Sequence, residues 1–121
     1  MKSRIFKGFG SKKPFAMPTF ALVTDLFFKA KIAETARQLG VEIVFAKNIG
    51  EIFGAKLVIV DLEKFGAGVV PEIKKANLKA KIVGYLSHVQ VELKKQALEN
   101  GCGLVLAKSE FSKRLAELLT K

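Results

Sequence analysis

Several residue types are missing or scarce in this chain of 121 residues. It has no tryptophan, one histidine and one cysteine. The single cysteine, Cys102, cannot form an internal disulfide, which suits a reducing cytoplasm, and we expect it to be a small buried residue beside the last strand. The single histidine, His88, cannot belong to a multi-histidine metal site. These absences exclude a disulfide scaffold and a histidine-rich metal centre.

Long apolar runs are also missing. Half of the residues are hydrophobic, but no stretch approaches the roughly 18 consecutive apolar residues that are needed to span a bilayer. The basic N-terminus lacks the apolar run of a secretory signal. We therefore expect a soluble, cytoplasmic protein, whose length fits one domain with a real core.

Acidic residues are too few to balance the basic ones, and the formal net charge is +10. Residues 1–18 contain five basic residues and no acid, so we predict a basic N-terminal extension at 1–18 and a domain at 19–121. The charge could attract nucleic acid, an anionic surface or an acidic partner, or it could simply keep the protein soluble. Lys7 to Gly10 echo the start of an RNA-binding motif, but no strand of such a domain surrounds them.

From residue 19 onwards, short apolar runs alternate with helical patterns. Continuous apolar strands are typical of a parallel sheet that is covered on both faces, and short links imply right-handed crossovers. Five strands favour an α/β, flavodoxin-like, doubly wound sheet with the order 2-1-3-4-5 in three α/β/α layers. No G-x-G-x-x-G follows the first strand, which argues against a dinucleotide-binding Rossmann fold. The predicted strands are 19–24, 41–46, 57–60, 80–86 and 104–107, and the predicted helical segments are 26–39, 48–53, 71–77, 91–100 and 109–120.

The first predicted helix carries two adjacent phenylalanines, Phe27 and Phe28. Because adjacent residues cannot both face the same core, we expect one of them to pack inside and the other to lie near a crevice or an interface. The helical period predicts one apolar face, made of Leu26, Ile32, Ala33, Ala36 and Leu39.

Polar side chains follow four of the five strands. Asp25 follows the first strand, Asp61 the third, Ser87 and His88 the fourth, and Lys108 the fifth. In such sheets, ligands bind beyond the carboxyl ends of the strands. Two nearby carboxylates favour a cation between them, a lysine and a serine can hold phosphoryl oxygens, and an aspartate can attack phosphorus. Each aspartate could instead cap the segment that follows it, and Lys108 could be a structural ion-pair partner of Asp61.

Residues 19–120 resemble the response-regulator receiver (CheY-like) family. LVIVDL (57–62) looks like the strand that carries the phosphoacceptor, and LVLAKSEF (104–111) looks like the strand that leads into the site lysine. The resemblance implies a phosphoacceptor at Asp61, Mg²⁺ ligands at Asp25 and Asp61, and phosphoryl stabilisation by Lys108 and Ser87.

The chain departs from the family's pattern at several positions. Thr24 stands where the family has the first of two adjacent acids, so the metal pocket loses a carboxylate. His88 stands where a small residue is usual, and Ser109 replaces a proline. Thr24 and His88 are therefore candidate modulators of the site. A general-base role for His88 would require it to face the crevice, whereas such a histidine more often bonds to a loop backbone.

Three functions remain open from these residues. The first is a stand-alone receiver-like signalling domain that accepts phosphate on Asp61 with Mg²⁺ and acts by binding a protein partner, a kinase or an effector. The second is a pseudo-receiver, an interaction module without phosphorylation. The third is a binder of nucleic acid or an anionic surface through the basic extension. No Ser-His-Asp, zinc or P-loop spacing is present, so we expect no separate enzymatic activity.

Overall fold

The computed structural model describes residues 18–87 and 90–120. The strands are β1 (Thr19–Leu22), β2 (Ile43–Phe45), β3 (Leu57–Asp61), β4 (Lys81–Leu86) and β5 (Leu104–Ala107). The helices are α1 (Leu26–Leu39), α2 (Leu62–Phe65), α3 (Val69–Ala76), α4 (Val91–Glu99) and α5 (Lys108–Thr120), with one 3-10 turn at Ile49–Glu51. His88 and residues 1–17 of the predicted extension, including Lys7 to Gly10, lie outside the described residues.

The five strands form one parallel sheet with the order β2-β1-β3-β4-β5. The first strand lies between β2 and β3, so that Thr19 pairs with Ile43 on one side and Leu57 on the other. Asp61, at the end of β3, is opposite Tyr85 of β4. The flavodoxin-like fold that the sequence predicts is confirmed. The parallel register brings the carboxyl ends of all five strands to one edge of the sheet.

Two hydrophobic layers cover the sheet. One layer joins the sheet to α1 and α5, and the other joins it to α2, α3 and α4. Cys102 belongs to the second layer and is buried, as the sequence predicts. Within the described residues, none of the helices combines the length and apolar character that crossing a membrane requires.

Two helical segments differ from the sequence prediction. Segment 48–53 forms only the 3-10 turn, and Gly54, which has a positive φ of 67°, follows closely. No helix is predicted between the strand at 57–60 and the helical segment at 71–77, but the chain forms α2 there. The Asp61 side chain accepts hydrogen bonds from the backbone N–H groups of Glu63 and Lys64, and these bonds stabilise the first turn of α2.

The buried face of α1 differs from the predicted one. Phe28, Ile32 and Ala36 are buried, whereas Leu26 is 76% exposed. Leu26 lies about 200° around the helix from Phe28, so it points away once Phe28 packs on the core. The Phe28 ring contacts Tyr85 and Phe111, with ring centroids 4.8 Å and 5.6 Å away. The prediction was therefore wrong at Leu26, and also at Leu39, which is 40% exposed.

Asn77 is a buried polar side chain that connects two segments of the chain. Its Oδ1 accepts the N–H of Ala55 at 3.0 Å. Its amide group donates to the carbonyl oxygens of Ile52 and Ile73, both at 2.9 Å. The C-terminal end of α3 is thereby joined to the segment that leads into β3. Sequence analysis did not single out this residue.

Candidate functional site

Four predicted site residues lie at the carboxyl edge of the sheet: Asp25, Asp61, Ser87 and Lys108. The structure brings them to the same edge but pairs them in separate groups. Asp25 and Lys108 form one ion pair, whereas Asp61 and Ser87 each bond to residue Glu63. The four residues therefore form two separate bonded groups and not one shared cluster.

Asp25 connects the start of α1 to the start of α5. Its Oδ1 accepts the N–H of Phe28 at 3.0 Å, so Asp25 is the N-cap of α1. Its Oδ2 accepts a hydrogen bond from the Lys108 ammonium at 3.0 Å. The Phe28 N–H and the Lys108 ammonium hold the pKa of Asp25 below its usual value, so the carboxyl group is ionised at neutral pH. The ammonium also lies 4.7 Å from the centroid of the Phe28 ring.

Asp61 is used as a helix cap. Its Oδ1 accepts the N–H groups of Glu63 at 3.1 Å and of Lys64 at 3.3 Å. Among the described residues we find no hydrogen bond or ion pair between Asp61 and Lys108. The alternative interpretation of each aspartate, a cap for the following helix, is therefore realised at both positions, and Lys108 is an ion-pair partner of Asp25 rather than of Asp61.

Glu63 is a site residue that sequence analysis missed. Its Oε1 accepts the N–H of Ser87 at 3.0 Å and also the Ser87 hydroxyl. Its Oε2 accepts a bond from the side-chain amide of Gln90. Glu63 thus ties α2 to the segment that connects β4 to α4. The available signal was its place two residues after Asp61, at the same edge of the sheet.

The residues that the resemblance implies for Mg²⁺ do not fit such a site as they are arranged. The Asp25 carboxylate holds an ammonium, and the exposed Thr24 offers a hydroxyl where a second carboxylate would be needed. Within residues 18–87 and 90–120, no group of three or more His, Cys, Asp or Glu side chains could hold a metal ion. Mg²⁺ is usually held by one or two carboxylates together with water molecules, so the Lys108 ammonium would have to leave Asp25 before Asp25 and Asp61 could hold the ion together.

Tyr85 lies beneath this edge, on β4. Its ring packs between Phe28 and Phe111, and its hydroxyl has no hydrogen-bond partner among the described residues. Burial raises the pKa of Tyr85 strongly, and the negative charges of Asp61 and Asp25 raise it further. The phenol is therefore neutral at neutral pH.

A cleft of about 570 Å³ opens beside the Asp25–Lys108 pair. It lies between the first turns of α1 and α5, and Asp61 is not among its lining residues. Phe27 stands at this cleft with 91% of its surface exposed, while Phe28 is buried. The expectation that the two phenylalanines face opposite environments is confirmed. The lining residues are Asp25, Phe27, Phe28, Lys31, Ser87, Lys108, Ser109 and Ser112.

Comparisons with known proteins identify the fold. No protein-family model matches the chain, and no curated protein matches it. Among solved structures, a response regulator from Hahella chejuensis has a TM-score of 0.74 at 20% identity, covering 87% of this chain and 93% of that one. A response regulator from Thermotoga maritima has a TM-score of 0.66 at 16% identity, covering 88% of this chain and all of that one.

A third neighbour is a response regulator from Burkholderia pseudomallei, whose structure contains a phosphorylated aspartic acid, a calcium ion and citrate. It has a TM-score of 0.72 at 16% identity, covering 88% of this chain and 68% of that one. All three neighbours are response regulators. At such identities the likeness shows the fold, which is the receiver fold that the sequence resemblance predicts.

Proposed function

We propose that this chain is a receiver-like signalling module that acts by binding a protein partner, without phosphorylation of Asp61. The receiver fold supports the signalling role. The observation that favours independence from phosphorylation is the ion pair between Lys108 and Asp25, at 3.0 Å. It commits the lysine of the site to a different carboxylate from the candidate phosphoacceptor.

Phosphoryl transfer to Asp61 would require several contacts to change. A cation would have to face the phosphoryl oxygens, yet the Lys108 ammonium is bonded to Asp25. The Ser87 hydroxyl would have to leave Glu63. Bonds of this kind, in which one partner is charged, are stronger than neutral hydrogen bonds. These contacts would have to be exchanged for bonds to phosphoryl oxygens before a phosphoryl-binding site could assemble.

A second candidate function is phosphorylation of Asp61 with help from Mg²⁺. It is favoured by the position of Asp61 at the carboxyl end of β3, at the same edge of the sheet as Lys108. Asp61 is only partly buried, and both of its hydrogen bonds use Oδ1. In that function Lys108 and Ser87 would exchange their present partners for phosphoryl oxygens.

The experiment that separates these functions uses the purified chain with Mg²⁺ and either beryllofluoride or a small phosphodonor. Thermal unfolding and backbone amide NMR shifts would be measured for the wild type and for Asp61→Asn. We expect the additions to change neither protein beyond the effect of Mg²⁺ alone. A shift in the wild type that Asp61→Asn abolishes would overturn the proposal and establish the second candidate.

Binding of nucleic acid or an anionic surface through the basic extension stays a prediction, because residues 1–17 lie outside the described residues. It requires oligonucleotide binding that falls steeply with salt and disappears when residues 1–18 are deleted.

A further inference from the structure

We propose that the cleft beside the Asp25–Lys108 pair binds a nucleotide, that is, a small organic phosphate that carries a planar ring. The cleft volume of about 570 Å³ lies within the range of small-molecule sites. The proposal goes beyond the signalling role: the cleft shares Ser87 and Lys108 with the predicted phosphoryl site, but Asp61 is not among its lining residues.

The charges in the cleft favour an anion. Lys108 and Asp25 balance each other, because the carboxylate accepts the ammonium and stays ionised. Lys31 also lines the cleft, and within residues 18–87 and 90–120 it forms no ion pair with an acidic side chain. The cleft therefore has a net positive charge, which comes from Lys31.

Hydroxyl groups from α5 extend the same anion-binding surface. Ser109 and Ser112 are three positions apart, so both lie on one side of the first turns of α5, and both line the cleft. The positive end of the dipole of this helix of 13 residues lies at the same place. Serine hydroxyls can donate hydrogen bonds to phosphate oxygens. A phosphate group between Lys31 and these serines would meet donors on two sides.

The exposed ring of Phe27 explains why the ligand should carry more than a phosphate. Phe27 is 91% exposed at the cleft, while its neighbour Phe28 is anchored in the core against Tyr85. The anchor limits where the Phe27 backbone can move, so the exposed ring is presented to solvent beside the cations. Aromatic rings of this kind stack on the bases of nucleotides without strong preference for one base.

The test titrates the full chain with AMP, GMP, CMP and UMP, with the corresponding nucleosides and inorganic phosphate as comparison ligands. Calorimetry and backbone amide NMR would give affinity and location. We expect each nucleotide to bind about tenfold more tightly than inorganic phosphate or its nucleoside. Shifts should concentrate at the starts of α1 and α5.

Variants of the two exposed residues identify the site. Lys31→Gln and Phe27→Ala should each weaken nucleotide binding by about tenfold, with unchanged thermal unfolding. The matched controls, Lys113→Gln and Phe53→Ala, alter exposed side chains that do not line the cleft and should bind as the wild type does. Asp61→Asn should also bind normally, which separates this proposal from the question of phosphorylation.

Three results would overturn the proposal. The first is a lack of saturable binding by any of the four nucleotides at millimolar concentration. The second is equal binding by inorganic phosphate, which would remove the role of the planar ring. The third is an equal loss in the cleft variants and in the controls, which would indicate attraction by the overall positive charge.

Discussion

The carboxylate of Asp25 and the ammonium of Lys108, which are 83 positions apart in the chain, meet at 3.0 Å. The contact joins the first turn of α1 to the first turn of α5 across the carboxyl edge of the sheet. Asp61 does not take part in this contact, and its side chain caps α2. This single pairing underlies both the proposed function and the character of the neighbouring cleft.

The ion pair makes the effect of Asp25→Asn depend on pH. The folded-state pKa of Asp25 is lowered from its ordinary value of 3.8, so its contribution to stability is complete above that value. It is lost as the pH falls through the lower, folded-state pKa. Because Asn retains the ability to cap α1, the difference in stability between wild type and Asp25→Asn reports on the charge of Asp25, which interacts with the Phe28 N–H and with the Lys108 ammonium.

Urea unfolding of both proteins at pH 7, 5 and 3 would check this prediction. The difference should be equal at the two higher pH values and smaller at the lowest. In a Lys108→Met background, Asp25→Asn should lower the free energy of unfolding by a smaller amount at pH 7. If the difference in stability between wild type and Asp25→Asn grew on acidification, this would contradict a lowered pKa of Asp25 in the folded state.

Glu63→Ala should loosen the segment between β4 and α4. The Glu63 carboxylate accepts the backbone N–H and hydroxyl of Ser87 and the side chain of Gln90. Without it, we expect amide hydrogen exchange at Ser87 and Gln90 to become faster by about two- to tenfold, since local opening needs less free energy.

Hydrogen exchange measured by NMR would give these rates residue by residue. Glu72→Ala is the matched control, because Glu72 is also exposed and pairs with Lys75 on the same helix. Unchanged exchange at Ser87 in Glu63→Ala would show that the contact does not hold this segment in solution.

Asn77→Ala should be strongly destabilising. The change leaves the N–H of Ala55 and the carbonyl oxygens of Ile52 and Ile73 without the side-chain partners they now have. Buried polar groups that lose a partner cost about 1–3 kcal/mol each, and three groups lose one here, so we expect a loss of about 3–5 kcal/mol in the free energy of unfolding.

Chemical denaturation would measure this loss. Asn100→Ala provides the comparison, because Asn100 is exposed and its side chain donates one bond, to the carbonyl of Ala67 at 3.0 Å. We expect it to cost about 0.5–1.5 kcal/mol. Equal losses for Asn77→Ala and Asn100→Ala would mean that the burial of Asn77 does not increase its contribution to the free energy of unfolding.

Tyr85→Phe should leave stability unchanged or increase it by up to about 1 kcal/mol. The Tyr85 hydroxyl is buried without a hydrogen-bond partner among the described residues, so its removal relieves the cost of desolvating it. Thermal and urea unfolding would check the sign. A clear loss of stability would instead show that the hydroxyl has a partner outside those residues.

Much of the architecture was predictable from local pattern. Apolar runs such as Leu57 to Val60 form buried strands, and the residues that end them, Asp61 among them, fall at the expected edge of the sheet. The opposite environments of Phe27 and Phe28 also followed from their adjacency in a helix. These features depend on residues that are close in sequence.

Contacts between distant segments could not be predicted in the same way. The buried face of α1 depends on where the Phe28 ring fits between Tyr85 and Phe111, so the helical period alone selected Leu26 wrongly. Asn77 reads as an ordinary helix end, since its bonding partners Ala55 and Ile52 are 22 and 25 positions away.

The sequence by itself determined the parallel sheet, its strand order and the set of polar residues at its carboxyl edge, because the alternation of apolar runs and helical segments permits few other arrangements. Only the tertiary structure decided how those residues connect. Asp25 holds Lys108, and Glu63 holds Ser87, because hydrogen bonds form only over about 3 Å. Which partner comes that close depends on how α1, α2 and α5 pack against the sheet.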